Sequence, residues 1–163
     1  MIILGIDPGY ATVGFGVVQY LYGRFQPVRF GAITTPPDLE FPARLKMIYD
    51  DICLVLEKTC PEALSIEQLF FSNNKTTGID VAQARGVILL AAQQKNIPVF
   101  EYTPNQVKQS VVGYGRAEKK QVMEMTRRIL GLEKVPRPDD TADALALAVC
   151  HGHCSGSLLS YLK

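Results

Sequence analysis

Two short runs constrain this chain more than any other feature: Met1-Ile2-Ile3-Leu4-Gly5-Ile6 and Ala63-Leu64-Ser65-Ile66 are almost wholly apolar, and each ends on a carboxylate, Asp7 and Glu67. Runs of this length and content read as buried strands. An acid closing such a strand is costly to bury without a partner, often a cation. Two further acids, Asp140 and Asp143, lie three residues apart at the start of a strongly helical run, Thr141 to Cys150, so both project from one face of one turn. Four carboxylates without a neighbouring Cys or His suit hard divalent ions such as Mg²⁺ or Mn²⁺.

The rest of the pattern supplies a frame for these acids. Residues 2 to 7, 14 to 20 and 28 to 34 are rich in Ile, Val, Phe and Tyr and are separated by Pro8-Gly9 and by a polar turn at Gly23, which predicts a three-stranded antiparallel meander. Leu45, Ile48, Ile52 and Val55 recur at helical spacing, and Pro61 ends that helix. Ala63 to Glu67 and Ile97 to Tyr102 then flank a helix over Thr77 to Lys95, the β-α-β alternation of a parallel pair. The expectation is an α/β fold with a five-stranded mixed sheet flanked by helices, one domain spanning 1–163. Thr103, Pro104 and Gln106 form a capping box for a short helix stopped at Gly113 and Gly115. A further helix carries Val122, Met125 and Ile129, and the last begins after Pro136 and Pro138.

The helix start leaves a choice among the acids. Directly after Pro138, Asp139 sits where an N-cap carboxylate would bond the free amides of the first turn, leaving Asp140 with Asp143 as the inward pair. The pair Asp139 and Asp143, four apart, is the competing register.

A net charge of +1 hides an asymmetry. Residues 1–74 carry 5 Lys/Arg against 8 Asp/Glu, whereas residues 75–137 carry 11 against 5, so the middle of the chain is left for a polyanion. The N-terminal run is too short to span a membrane and lacks a basic leader, so a cytoplasmic protein is expected. Four cysteines in such a chain are expected as reduced thiols. The cluster Cys150-His151-Gly152-His153-Cys154 has two readings, a zinc site or a buried helix end.

Several stretches together resemble the RuvC family of bacterial Holliday-junction resolvases: Ile3-Leu4-Gly5-Ile6-Asp7-Pro8-Gly9, Ile66-Glu67-Gln68, Ala82-Gln83-Ala84-Arg85-Gly86-Val87, Pro98-Val99-Phe100-Glu101-Tyr102, Gln106-Val107-Lys108-Gln109 and Ala142-Asp143-Ala144-Leu145-Ala146. They follow the family's order over nearly the whole length. The resemblance implies an RNase H-like fold, a homodimer, and paired symmetric nicks across a four-way DNA junction in recombination and repair. It also implies cooperation with the RuvA-RuvB branch-migration motor. By it Asp7, Glu67, Asp140 and Asp143 fall on the family's four catalytic acids, holding two Mg²⁺ ions per active site, with Mn²⁺ as a substitute and Asp7 bridging both. Hydrolysis would leave 5′-phosphate and 3′-hydroxyl ends.

The same resemblance assigns DNA contacts to Phe70, Lys75, Lys108, Arg116, Lys119 and Lys120. On pattern alone Phe70 and Phe71 either stack on junction bases or cap the core, and each lysine or arginine either anchors phosphate or lies on a solvated face. Arg127 and Arg128 read as ordinary surface. The longer basic tail of some family members has no counterpart after Lys163. The helix 77–95, with Ile79, Val87, Leu90 and Ala91 on one face, is the candidate for dimer packing. Gly5 to Gly9 alone also resembles the first phosphate motif of actin-like and sugar-kinase ATPases, but that fold needs a longer chain and leaves Asp140 and Asp143 without a role. A non-catalytic junction-binding module would have lost one of the four acids. A nuclease for RNA-DNA hybrids shares them and differs in the segments around Phe70 and Lys108.

Overall fold

The computed structural model describes residues 1–69 and 75–155, and of residues 75 to 77 the backbone alone. Five strands, β1 (Ile2–Asp7), β2 (Thr12–Leu21), β3 (Arg24–Thr34), β4 (Ala63–Glu67) and β5 (Val99–Tyr102), form one sheet in the order β3-β2-β1-β4-β5. The first three pair antiparallel, and β1-β4 and β4-β5 pair parallel. The mixed sheet expected from the sequence is therefore present, and β1 lies at its centre. Strands β2 and β3 run longer than their apolar cores suggest, because a two-residue turn joins them directly. Tyr22 and Gly23 both adopt positive φ, 50° and 77°, which matches the twist of a tight hairpin.

Helices cover both faces. Helices α1 (Phe41–Thr59) and α2 (Lys75–Gln94) bury Ile48, Ile52, Leu56, Ala84 and Ile88 against one face. On the other face α3 (Pro104–Val112) and α4 (Lys119–Ile129) enclose α5 (Asp139–Ser155), whose residues Thr141, Ala142 and Ala144 to Gly152 are all buried. The capping box before α3 forms as expected: the Gln106 amide donates to Thr103 Oγ1 at 3.1 Å, and the Thr103 amide donates to Gln106 Oε1 at 2.8 Å.

Helix α5 approaches the sheet closely because glycines lie beneath it. A Cβ at Gly5 would stand 1.9 Å from the Ala144 carbonyl oxygen, and one at Gly14 would stand 2.0 Å from that of Asp140. Only a residue without a side chain leaves room for helix backbone there.

Two local expectations need correction. Asp139 is the first residue of α5 rather than its N-cap: the Thr141 amide donates to Pro138 O, and the Asp139 carboxylate accepts from the Arg137 guanidinium. That strong neighbouring donor competes with the helix amides for the carboxylate. Helix α2 does not carry Ile79, Val87, Leu90 and Ala91 on one face. Ala91 is buried in the core and Val87 packs against it, whereas Ile79 and Leu90 are about half exposed (54% and 52%). The apolar residues encircle the helix too evenly for spacing alone to choose its inner side.

Candidate active site

The end of the sheet gathers the acids. Ile6 pairs with Ile66, so Asp7 and Glu67 follow side by side on adjacent parallel strands. Alternation turns both toward α5: Ile3, two pleats before Asp7's neighbour Gly5, packs in the α5 core, and Ser65 Oγ donates to Leu147 O in α5 at 2.7 Å. The first turn of α5 brings Asp140 and Asp143 toward the same point. Asp7, Glu67 and Asp143 line a cleft of about 380 Å³ together with Lys108 from α3 and Lys119 from α4.

Electrostatics identify the cluster as strained by its own charge. Burial first, then Asp143, Glu67 and Asp140, push Asp7 from 3.8 up to about 8, with Lys119 opposing. Burial and then Asp143 raise Glu67, and burial raises Asp143 although Lys119 pulls it down. Lys119 Nζ donates to Asp143 Oδ2 at 2.7 Å and stands 4.0 Å from Asp139, and this pairing raises its own pKa. Asp140 acts directly on Asp7, whereas Asp139 is held by Arg137.

The donor set is all oxygen and its most buried member is disfavoured as an anion, the condition that a bound divalent cation relieves. Among the described residues, however, no three acid, imidazole or thiol groups converge as a finished metal shell. Asp143 is turned to Lys119 instead.

These shifts have a measurable sign. Asp7 keeps its proton to about pH 8 in the fold but to about 4 when unfolded, so its contribution to stability is complete below pH 4 and is lost as pH rises to 8. In EDTA, thermal melts should show stability falling across that window by roughly 2 to 4 kcal/mol from Asp7. A melting temperature that climbed instead would mean that Asp7 is already ionised.

The remaining predicted residues divide. Lys108 and Lys119 enter the cleft. Arg116 lines a neighbouring concavity with Asn105, Gln106 and Gln109, and Lys120 is exposed on α4. Lys75 starts α2, and Phe70 and Phe71 lie outside the described residues. Arg127 and Arg128 both pair with Glu124, as ordinary surface would. In the Cys150 to Cys154 segment, Cys150, His151 and Gly152 are buried at the end of α5, whereas His153 and Cys154 are exposed; burial lifts the Cys150 thiol to about 12, and His151 Nδ1 shares a 2.7 Å hydrogen bond with the Tyr102 hydroxyl. Sequence reading passed over Tyr10, Thr35 and Arg44, which assemble around the loop after β1 through contacts between residues far apart in the chain.

A family model described as "Crossover junction endodeoxyribonuclease RuvC" matches residues 3–151. This chain belongs to the RuvC family. It is 53% identical over 163 residues to the crossover junction endodeoxyribonuclease RuvC of Syntrophomonas wolfei, covering 100% of this chain and 94% of the relative. It is 54% identical over 151 residues to that of Thermotoga petrophila, covering 93% and 92%. Among solved structures, Thermus thermophilus RuvC matches with a TM-score of 0.89 and 36% identity over 95% of both chains. The same protein in complex with a Holliday junction substrate gives 0.90 and 36%, covering 95% and 94%. The yeast mitochondrial resolvase Ydc2, at 15% identity and a TM-score of 0.70, shares the fold. With RuvC membership goes the enzyme class, a nuclease that hydrolyses phosphodiester bonds.

Proposed function

We propose that this RuvC-family chain resolves four-way DNA junctions as a Mg²⁺-dependent endonuclease, using Asp7, Glu67, Asp140 and Asp143. The observation that carries the reading is the placement of Asp7 and Glu67 on adjacent strand ends, in one cleft with Asp143, Lys108 and Lys119. Carboxylates and ammonium groups lining one cleft suit a phosphodiester that is gripped by its flanking phosphates.

Two Mg²⁺ ions, when bound by these acids, supply an activated water and neutralise charge on the leaving 3′ oxygen, giving 5′-phosphate and 3′-hydroxyl ends. The protein's own groups do the rest. Asp7, half-buried at the end of the central strand, stands between Glu67 on β4 and the first turn of α5. Asp143, paired with Lys119 in the protein alone, would help hold the cation, and Lys119 would then be free to take a phosphate oxygen of the DNA. Lys108 lies on the same wall of the cleft to hold the strand.

Paired symmetric nicks require two such sites, and α2 supports a homodimer. Ile79, Gln83, Gly86 and Leu90 form one outward stripe, and a Cβ at Gly86 would meet nothing within 4 Å. Glycine inside a helix costs about 1 kcal/mol relative to alanine, a cost that close approach of a second copy would offset. Gly86→Arg is expected to give a monomer in sedimentation experiments with the fold intact; an unchanged dimer would place the interface elsewhere. In this reading the whole chain is one nuclease domain that works in the cytoplasm behind the RuvA-RuvB motor.

The deciding experiment is cleavage of a synthetic mobile four-way junction against linear duplex and an RNA-DNA hybrid, in Mg²⁺ and in EDTA. Paired, Mg²⁺-dependent nicks confined to the junction are expected. Cutting of the hybrid alone would overturn the substrate, and tight binding without cutting would overturn the activity.

A further inference from the structure

Arg44, in the first turns of α1, is held in one position by Thr35 and the Tyr10 ring, yet its two terminal nitrogens make no hydrogen bond or ion pair among the described residues. Its Nε donates to Thr35 Oγ1 at 2.8 Å, and that hydroxyl donates to Tyr10 O at 2.7 Å. The guanidinium carbon lies 4.9 Å from the centre of the Tyr10 ring, whose edge contact with Phe41 at 6.1 Å locks it from another side. The Thr35 amide donates to Ala11 O at 3.0 Å, tying the same loop down again. Among the described residues no ion pair includes Arg44, and its two terminal nitrogens are neither hydrogen-bonded nor enclosed. An arginine pinned through Nε and stacked on a ring has already lost the side-chain freedom that ligand binding would otherwise cost. What remains is a planar fork of donors, the geometry that matches two oxygens of a phosphate.

Its location gives the fork a ligand. Tyr10 follows Asp7 by three residues, a span of at most about 11 Å. Thr35 follows the end of β3 at the same edge of the sheet, and α1 begins there. Helix α1 packs on the face opposite α3 and α4, so Arg44 and the pair Lys108 and Lys119 stand on opposite faces of the sheet whose end carries Asp7 and Glu67. A DNA strand crossing the acids between them meets Arg44 within a few nucleotides, at a rise of about 3.4 Å each.

We propose that Arg44, braced by Tyr10 and Thr35, binds a backbone phosphate of the cleaved strand on the α1 side of the carboxylate cleft. The contact reads charge and not base sequence. It rests on the nuclease reading above and adds the second anchor that a strand needs to lie in one register across the acids.

The test is junction affinity by fluorescence anisotropy in EDTA, across a salt series, for the full-length protein and for Arg44→Ala, Arg44→Lys and Arg44→Gln. Arg44→Ala is expected to weaken binding about tenfold, equally for different junction sequences, and to lower the slope of log affinity against log salt by about 0.9, one phosphate's worth. Arg44→Gln keeps a donor toward Thr35 but loses charge and fork, so it should show the same change of slope if the alanine variant unfolds. Arg44→Lys should restore the slope and only part of the affinity. A scan with single neutral methylphosphonates around the cut site supplies the position: one substitution on the α1 side should weaken the wild type and leave Arg44→Gln unaffected. Unchanged slope and affinity in the folded variants, with no coupled methylphosphonate, would reduce Arg44 to a staple for the Tyr10 loop. If the wild type itself failed to prefer a junction, the nuclease reading would fail first, and the two failures are thereby separable.

Discussion

Asp7→Asn is expected to reduce junction cleavage by at least about 10³-fold, the several kcal/mol that metal-assisted hydrolysis supplies, while junction binding in EDTA stays within a few-fold of the wild type. Asparagine keeps the size of the side chain and removes the charge that the acid cluster is arranged to share. The cleft's lysines are untouched, so phosphate contacts persist, and one fewer carboxylate beside the DNA leaves less repulsion. The same change should raise stability in EDTA near neutral pH, because the buried carboxyl, pushed up to about 8, no longer has to ionise as pH rises. Three readouts therefore move differently: activity down, binding level, melting temperature up with its pH dependence flattened. Loss of junction binding in parallel with activity would sink the separation between carboxylates that cut and lysines that hold.

Gly14→Ala should be nearly as damaging although it adds only one uncharged methyl group. Gly14 sits directly opposite Asp7 in the β1-β2 ladder, and the new Cβ would stand 2.0 Å from the Asp140 carbonyl oxygen and 2.3 Å from its carbon. Backbone atoms cannot rotate aside, so the first turn of α5 has to lift from the sheet. A cost of about 3 kcal/mol in stability follows from overpacking of this kind. Because that turn carries Asp140 and Asp143, a shift of about 1 Å there should cost roughly 10²-fold in cleavage even at temperatures where the variant is fully folded. Wild-type turnover by the folded fraction would show that the helix accommodates the methyl without moving the acids.

Much of the site was legible in the chain because its determinants are local. An apolar run that stops at an acid places a carboxylate at a strand end whatever surrounds it, so Asp7 and Glu67 could be named from two short stretches. The Thr103-Pro104-Gln106 box closes within four residues and formed as its spacing requires. The Asp139 assignment failed for a reason almost as local: Arg137, two residues away, offers its carboxylate a charged donor that a capping rule does not weigh. The family assignment did not depend on that choice.

Other features had no local signature. The inner side of α2 depended on which flank met Ile52 and Leu64, since apolar residues surround that helix. Lys119 is one of several lysines in a basic segment, and its position against Asp143 exists only because α4 packs on α5. Tyr10, Thr35 and Arg44 are separated by 25 and 9 residues, and nothing in their spacing announces a guanidinium braced against the loop after β1. The sequence by itself determined the strands, the Thr103 cap and the strand-end positions of Asp7 and Glu67, because strand period and capping are set by near neighbours. Only the tertiary structure decided which lysine faces which acid, how closely α5 approaches β1 and where Arg44 points, because those depend on packing between segments that meet only in the folded chain.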